Sequence, residues 1–371
     1  MAFKSGFGDR TPLAAGRESG AALDAEPALS APARPRPRLD WRLLSTAAFL
    51  ALLVALFSLI TPSFLSRNGW FAICQAGIEI LLLGLGQGVV IMSGQIDLSV
   101  GSTLGLSGMV GGVVMKNLLH SGLPASEIMA AGYLCGIVCG GLAGLLNGLL
   151  VTRLRLAPFI VTLATLDAYA GITSLLHNGT ELISVPPQVS DVGNTAVGGW
   201  IPIPILVGAA LYVIAGLWLR YTRAARHLYA TGSSAESAER AGISVARIRI
   251  MAFVISGVLA GIAGVLVLSI FVGASPAAGS GELLNAIAAP VIGGVSFSGG
   301  RGSAPGIALG VALISVITVG LIIVGVTPFW EEVVIGAIII AAVYADTLRR
   351  GSVVGAAGLQ RFRNFLRPRA L

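Results

Sequence analysis

Charge is scarce in this chain. Only 11% of its 371 residues are Asp, Glu, Lys or Arg, while 55% are hydrophobic. A soluble domain carries about 25% charged residues. This chain therefore has too little polar surface to cover a water-soluble globule, and its mean hydropathy of +0.87 agrees. Cysteine is scarce as well: Cys74, Cys135 and Cys139 all fall inside apolar runs. Cys135 and Cys139 stand four apart, on one helix face, but no further soft ligand lies near. That excludes a metal centre on spacing and leaves simple packing. The three histidines, His120, His177 and His227, stand at the ends of apolar runs or in loops. No G-x-x-x-x-G-K-[ST] motif occurs, so the chain is not expected to bind and hydrolyse ATP by itself. The net charge of +7 does not point to nucleic acid, because the basic residues cluster in segments that flank apolar runs.

What the chain has is long apolar runs, near 43–61, 70–92, 98–116, 127–151, 158–176, 202–219, 250–272, 285–297, 304–325 and 329–347. A helix crossing the hydrocarbon needs about 20 residues. A barrel strand alternates and needs only about ten, so a β-barrel is excluded. The expectation is an all-α integral membrane protein with about ten transmembrane helices. The run 285–297 is too short to cross alone and reads as a half-helix, a re-entrant segment or a helix continued into the Gly-rich turn behind it. Fifty glycines suit close helix crossings.

Basic residues set the orientation. Arg34, Arg36, Arg38 and Arg42 precede the first run, and further arginines follow the fourth, sixth, eighth and tenth. With ten crossings and both termini cytoplasmic, all of these fall inside. Residues 1–39 then form a disordered cytoplasmic tail without a secretory signal. Residues 40–350 form the transmembrane domain, with a cytoplasmic loop at 220–249, and residues 351–371 form a basic cytoplasmic tail. The loop at 177–201 is external and long enough to dock an external partner.

The polar exceptions are few. Gly94 to Ser102, reading GQIDLSVGS, breaks the apolar pattern with Asp97, Ser99 and Ser102. Asp97 reads equally as a cap on the following helix and as a functional group. Glu79, Asn147, Thr162, Thr165, Asp167 and Asn285 complete the intramembrane set. Asn147 and the threonines also suit plain interhelical hydrogen bonds. No array of mid-membrane arginines and no carboxylate–histidine chain occurs, so a voltage sensor or proton pump is not indicated. A neutral or weakly polar substrate fits this inventory. The segment AESAERAGISVARI within the internal loop reads as one or two short amphipathic helices broken at Gly242. Such helices lie on a membrane surface, fit a groove on another protein, or simply connect.

Four blocks carry a resemblance. GQIDLSVGS resembles the GGIDLSVGS signature of the permease subunits of ribose-type sugar ABC importers. NGLLVTRLRLAPFIVTLATL at 147–166, ATGSSAESAERAGISV at 230–245 and GELLNAIAAPVIGGVSFSGGRGSAPG at 281–306 resemble further segments of that family, in the same order. The resemblance spans about 40 to 350. It implies a translocation path formed by two permease subunits, identical or closely related. It implies cytoplasmic ABC ATPase subunits that bind ATP and Mg, so that this chain has no cofactor of its own. It also implies a periplasmic sugar-binding protein and a place in the bacterial inner membrane. Asp97, Ser99, Asn147, Phe159, Thr162, Asp167 and Asn285 would line or brace the path. Gly232, Glu236, Ala238, Gly242 and Ile243 would form the coupling element seated in the ATPase. Gln95, Ser233, Ser234, Asp167 and Ala170 depart from the family's usual residues, and no particular sugar follows.

Two other readings remain at this level. An ion-gradient-driven transporter would use Glu79, Asp97 or Asp167 as proton sites. An intramembrane enzyme would use Ser298, whose loop VSFSGG is similar to intramembrane serine protease loops but lacks a helical histidine partner.

Overall fold

The computed structural model describes residues 41–327, 329–330, 332–341 and 344. The tails expected at 1–39 and 351–371 lie outside the described residues. The helices are α1 (Trp41–Ile60), α2 (Arg67–Met92), α3 (Val100–Leu118), α4 (Ala125–Arg153), α5 (Pro158–Leu176), α6 (Val189–Asn194) and α7 (Ile203–Tyr221). They continue with α8 (Arg223–Ser233), α9 (Ala235–Arg240), α10 (Val245–Phe271), α11 (Glu282–Ile292), α12 (Ala304–Ile323) and α13 (Glu332–Ala341). Among the described residues the only strands are a two-stranded antiparallel hairpin, Ala196–Val197 with Ile201–Pro202. The all-α membrane class read from the sequence is the observed one.

Seven helices among the described residues are long and apolar enough to cross a membrane: α1, α2, α4, α5, α7, α10 and α12. Helix α3 has 19 residues but interleaves Gly, Ser and Thr with its apolar positions. Helices α11 and α13 are shorter. The run at 285–297 is thus mostly the 11-residue α11. The stretch before it, 273–281, runs back alongside α3. Ala274 packs near Gly112, Ala278 near Gly105 and Gly279 near Gly101. Eleven residues of helix cover about 16 Å at a rise of ~1.5 Å, and α11 begins beside the first turn of α3, where Leu283 N lies near Gly101.

Helices α2 and α10 form the centre. Helix α2 packs on α7, α10, α11 and α12, while α10 packs on α2, α3, α4 and α6. One core cluster runs through both. Small residues make the approach possible. On α4, Gly132, Gly136, Gly140, Gly144 and Gly148 recur every fourth residue and so share one face. A Cβ on Gly140 or Gly144 would strike the α10 backbone at Gly257 or Phe253. This is the close packing by which membrane helices associate without a hydrophobic drive between them. Helices α1, α5 and α7 lie outside and leave large apolar side chains such as Leu59, Leu175 and Ile214 exposed, as a lipid-facing surface requires.

The long loop at 177–202 is tied down. Leu182 pairs with Ala274 through two backbone hydrogen bonds of 2.8 and 2.9 Å. Arg67 Nε donates to Gly199 O at 2.8 Å, and Trp70 Nε1 to Trp200 O at 2.9 Å. Helix α6 packs on α10. The loop therefore crosses the end of the bundle at which α2 begins.

Candidate functional site

The polar break at 93–99 is non-helical, between α2 and α3. Gly94 takes φ +80°, which only glycine adopts without strain. The turn directs the chain inward, and Asp97 becomes 2% exposed. Asp97 Oδ1 accepts from the Ser99 backbone N–H at 2.9 Å and from Ser99 Oγ at 2.7 Å. Asn147 Nδ2 of α4 donates to Ser99 Oγ at 2.8 Å. Tyr169 of α5 donates its hydroxyl to Ala143 O at 3.0 Å, with Asn147 Oδ1 at 3.4 Å. Donors and acceptors thus run in one direction, from Asn147 through Ser99 to Asp97.

The cap expectation needs amending. Ser99, not Asp97, occupies the cap position of α3, and its side chain makes no capping bond. Asp97 instead holds the N–H of Ser99 itself, two residues along, as an Asx turn does. The carboxylate fixes the turn that starts α3, and the Ser99 hydroxyl ties that turn to α4.

The same loop meets the internal segment. Helix α9 is the short helix anticipated from Ala235, and the chain breaks at Gly242 before α10 starts at Val245, as the sequence indicated. Helix α8 precedes it, and the Ser234 hydroxyl caps α9 by accepting from Ser237 N. Gly242 ends the unit with φ +81°, and its N–H donates to Glu239 O at 2.9 Å. Gly232, in the last turn of α8, packs its Cα on the Met92 carbonyl and on Gly300 N. Gly300 N donates to Met92 O at 3.0 Å. Gly299 abuts Gly94, and Tyr229 donates its hydroxyl to Gly302 O at 3.1 Å. One turn of α8 is therefore wedged between the loop after α2 and the loop after α11. On the other side Glu236 and Arg240 form an exposed ion pair. Ala238 is 4% exposed, and Ile243 packs on the core.

The remaining residues singled out in the sequence are scattered. Thr162 is buried, and its hydroxyl donates to Pro158 O within its own helix at 2.9 Å. Phe159 and Asp167 are exposed on the outer side of α5. Asn285 is buried on α11 and donates to Glu282 Oε2 at 3.2 Å. Ser298 is exposed on the 293–303 loop.

A cavity of about 760 Å³ lies toward the opposite end from α8. It is a half-open cleft lined by the first half of α2, the middle of α3, the second half of α10, the end of α12 and the 273–282 stretch. Glu79, Gln75, Glu282 and Thr318 supply polar groups to it. Glu282 escaped the sequence reading because an acid at a helix start is commonplace. Tyr169 escaped it because nothing in a lone tyrosine marks its hydrogen-bond partner. Among the described residues no group of three or more His, Cys, Asp or Glu is placed to hold a metal ion.

A multi-pass helical bundle with a cavity toward one end and two short, polar-faced helices at the other suits a membrane transport protein. The chain belongs to the family described as branched-chain amino acid transport system / permease component, which matches residues 70–343. It is a transporter permease component and not an enzyme. It is 36% identical to a probable ABC transporter permease protein of Sinorhizobium fredii over 313 residues, 84% of this chain and 91% of that one. It is 36% identical to the ribose import permease protein of Bacillus subtilis over 302 residues, 80% of this chain and 90% of the relative. It is 36% identical to the D-allose transport system permease protein of Escherichia coli over 313 residues, 84% and 93% of the two chains.

Proposed function

We propose that this chain is the membrane-spanning subunit of an ATP-driven importer for a monosaccharide or related small polyol in the bacterial inner membrane. Relatives covering four-fifths or more of the chain are import permeases for ribose and for D-allose, which favours sugars over the amino acids in the family's description. In this reading the chain crosses ten times with both termini inside. It works beside a second permease subunit, cytoplasmic ABC ATPase subunits that hold ATP and Mg, and a periplasmic sugar-binding protein.

The observation that carries the reading is the position of α8 and α9. Their outer side is polar and exposed, with Glu236, Glu239 and Arg240. The last turn of α8, to which α9 is joined, is locked into the loops after α2 and α11. A partner pressing on α9 would move both loops together, which is what a separate motor needs in order to act on the path. Asp97, Ser99 and Asn147 brace that arrangement. The test is import into proteoliposomes holding the chain, its ATPase and its binding protein. Uptake of D-ribose or D-allose should require ATP and all three components. Accumulation by this chain alone, driven by a pH gradient, would overturn the reading.

A further inference from the structure

Among the described residues the cavity is lined by three carboxyl side chains and by no lysine, arginine or histidine. Glu79 comes from α2, Glu282 from α11 and Glu181 from the outer loop. Glu79 and Glu282 lie within electrostatic reach of one another. Without a cationic side chain in its lining, the cavity offers an anion no counter-charge. Anionic solutes such as sugar acids and sugar phosphates are therefore poor occupants.

The groups present suit hydroxyl donors. A carboxyl group offers acceptor oxygens to hydroxyls whether or not it is ionised. Gln75 and Thr318 add mixed donors and acceptors, while Leu104, Val267 and Ala274 supply apolar wall. The volume falls within the roughly 300–1,000 Å³ of pockets that enclose small ligands.

Glu282 is held from below. Asn285, 6% exposed, donates Nδ2 to Glu282 Oε2 and leaves its own Oδ1 without a partner among the described residues. A buried orphan acceptor is costly to leave unpaired, and a hydroxyl donor would relieve it. Toward α8, helix α2 is buried without interruption from Ile80 to Met92.

We propose that this cavity, lined by a single permease chain, is a binding site for a neutral polyhydroxylated solute, with Glu79 and Glu282 accepting from its hydroxyls. The proposal takes its solute class from the importer reading and adds a place and two contact residues within one chain.

The experiment is radioligand binding to the purified full chain in lipid nanodiscs, with D-ribose, D-allose, D-glucosamine and D-gluconate as probes. At least one of the two neutral sugars should bind and D-gluconate should not. Glu79→Gln and Glu282→Gln should each weaken neutral-sugar binding by about tenfold, or roughly 1.4 kcal/mol. Ala76→Trp, which fills the cavity, should abolish it. If Ala76→Trp fails to fold, as judged by size exclusion, the two Gln variants decide. Absence of binding by either neutral sugar, or unchanged binding in both Gln variants, overturns the proposal. Preference for D-glucosamine overturns the assignment of a neutral solute. The importer reading fails separately: sugar binding in the cavity without ATP-dependent uptake would sink that reading alone. ATP-dependent uptake with unchanged Gln variants would sink only the cavity.

Discussion

Gly232 of α8 lies with its Cα against the carbonyl oxygen of Met92, the last residue of α2. That oxygen also accepts from Gly300 N at 3.0 Å, so three separate segments meet at one carbonyl. No side chain fits there: a Cβ on Gly232 would overlap Met92 O and crowd Gly300 N, and both are backbone atoms that cannot rotate away.

Gly232→Ala should therefore separate α8 from the two loops. Overpacking of this kind costs about 1–3 kcal/mol. The expected outcome is a folded protein with reduced thermal stability that binds its ATPase partner but has lost most ATP-driven import. Import and ATP hydrolysis measured on the same proteoliposomes check this. Import that stays coupled at the wild-type ratio would show that the wedge transmits nothing.

The link from Asn147 through Ser99 to Asp97 makes a second prediction. Interhelical hydrogen bonds in membrane proteins are worth about 0.6 kcal/mol on average, with a maximum near 1.7. Asp97→Ala and Asn147→Ala act on opposite sides of one hydroxyl, Ser99 Oγ. Their effects on thermal stability should be non-additive, with a coupling of about 0.5–1.5 kcal/mol. Ser99→Ala should remove that coupling. Strict additivity in the double variant would show that Ser99 does not join the two.

Much of this was legible in the sequence because membrane helices announce themselves by length and apolarity. Each long run became a helix, and the GQIDLSVGS break became a turn because Gly94 and Asp97 have few other uses between apolar helices. The segment from Ala235 was legible as a short helix broken at Gly242, and α9 does end there before α10 starts at Val245. Helix α8 before it was not legible, nor was the cap by which Ser234 opens α9. The partners of the glycines were not legible at all. A glycine in an apolar helix signals close approach but not to what, and Gly94 meets Gly232 and Gly299, each more than a hundred positions away. Glu282 was illegible for a different reason: its role depends on Glu79, which arrives from a distant helix.

Gly242 gives a third prediction. Its φ is +81°, its N–H donates to Glu239 O, and a Cβ there would meet nothing within 4 Å. Gly242→Ala therefore faces only the left-handed backbone penalty, roughly 1 kcal/mol, and should import at close to the wild-type rate. Gly242→Pro can adopt neither the dihedral nor the hydrogen bond. It should insert normally, unravel the end of α9 and abolish import. Membrane yield by immunoblot and ATP-driven uptake separate the two variants. Equal uptake by Ala and Pro variants would remove α9 from the coupling surface.

Asp167 carries the last prediction. It is exposed on α5 between Leu163 and Gly171, with no hydrogen bond or ion pair among the described residues. A carboxylate in a spanning helix that faces lipid costs about 2.5–3.5 kcal/mol at the centre of the bilayer. Helices keep such a group when it faces water or another protein. In the importer reading that surface borders the path beside the second permease subunit. Asp167→Leu should then leave membrane yield unchanged or raised, because an apolar side chain inserts more readily, while import falls by about tenfold or more. Asp167→Asn should retain more import than Asp167→Leu, because it keeps a hydrogen-bonding group in the path. Higher yield with undiminished import in the Leu variant would place this face of α5 against lipid. The second subunit would then have to dock on another surface of the bundle.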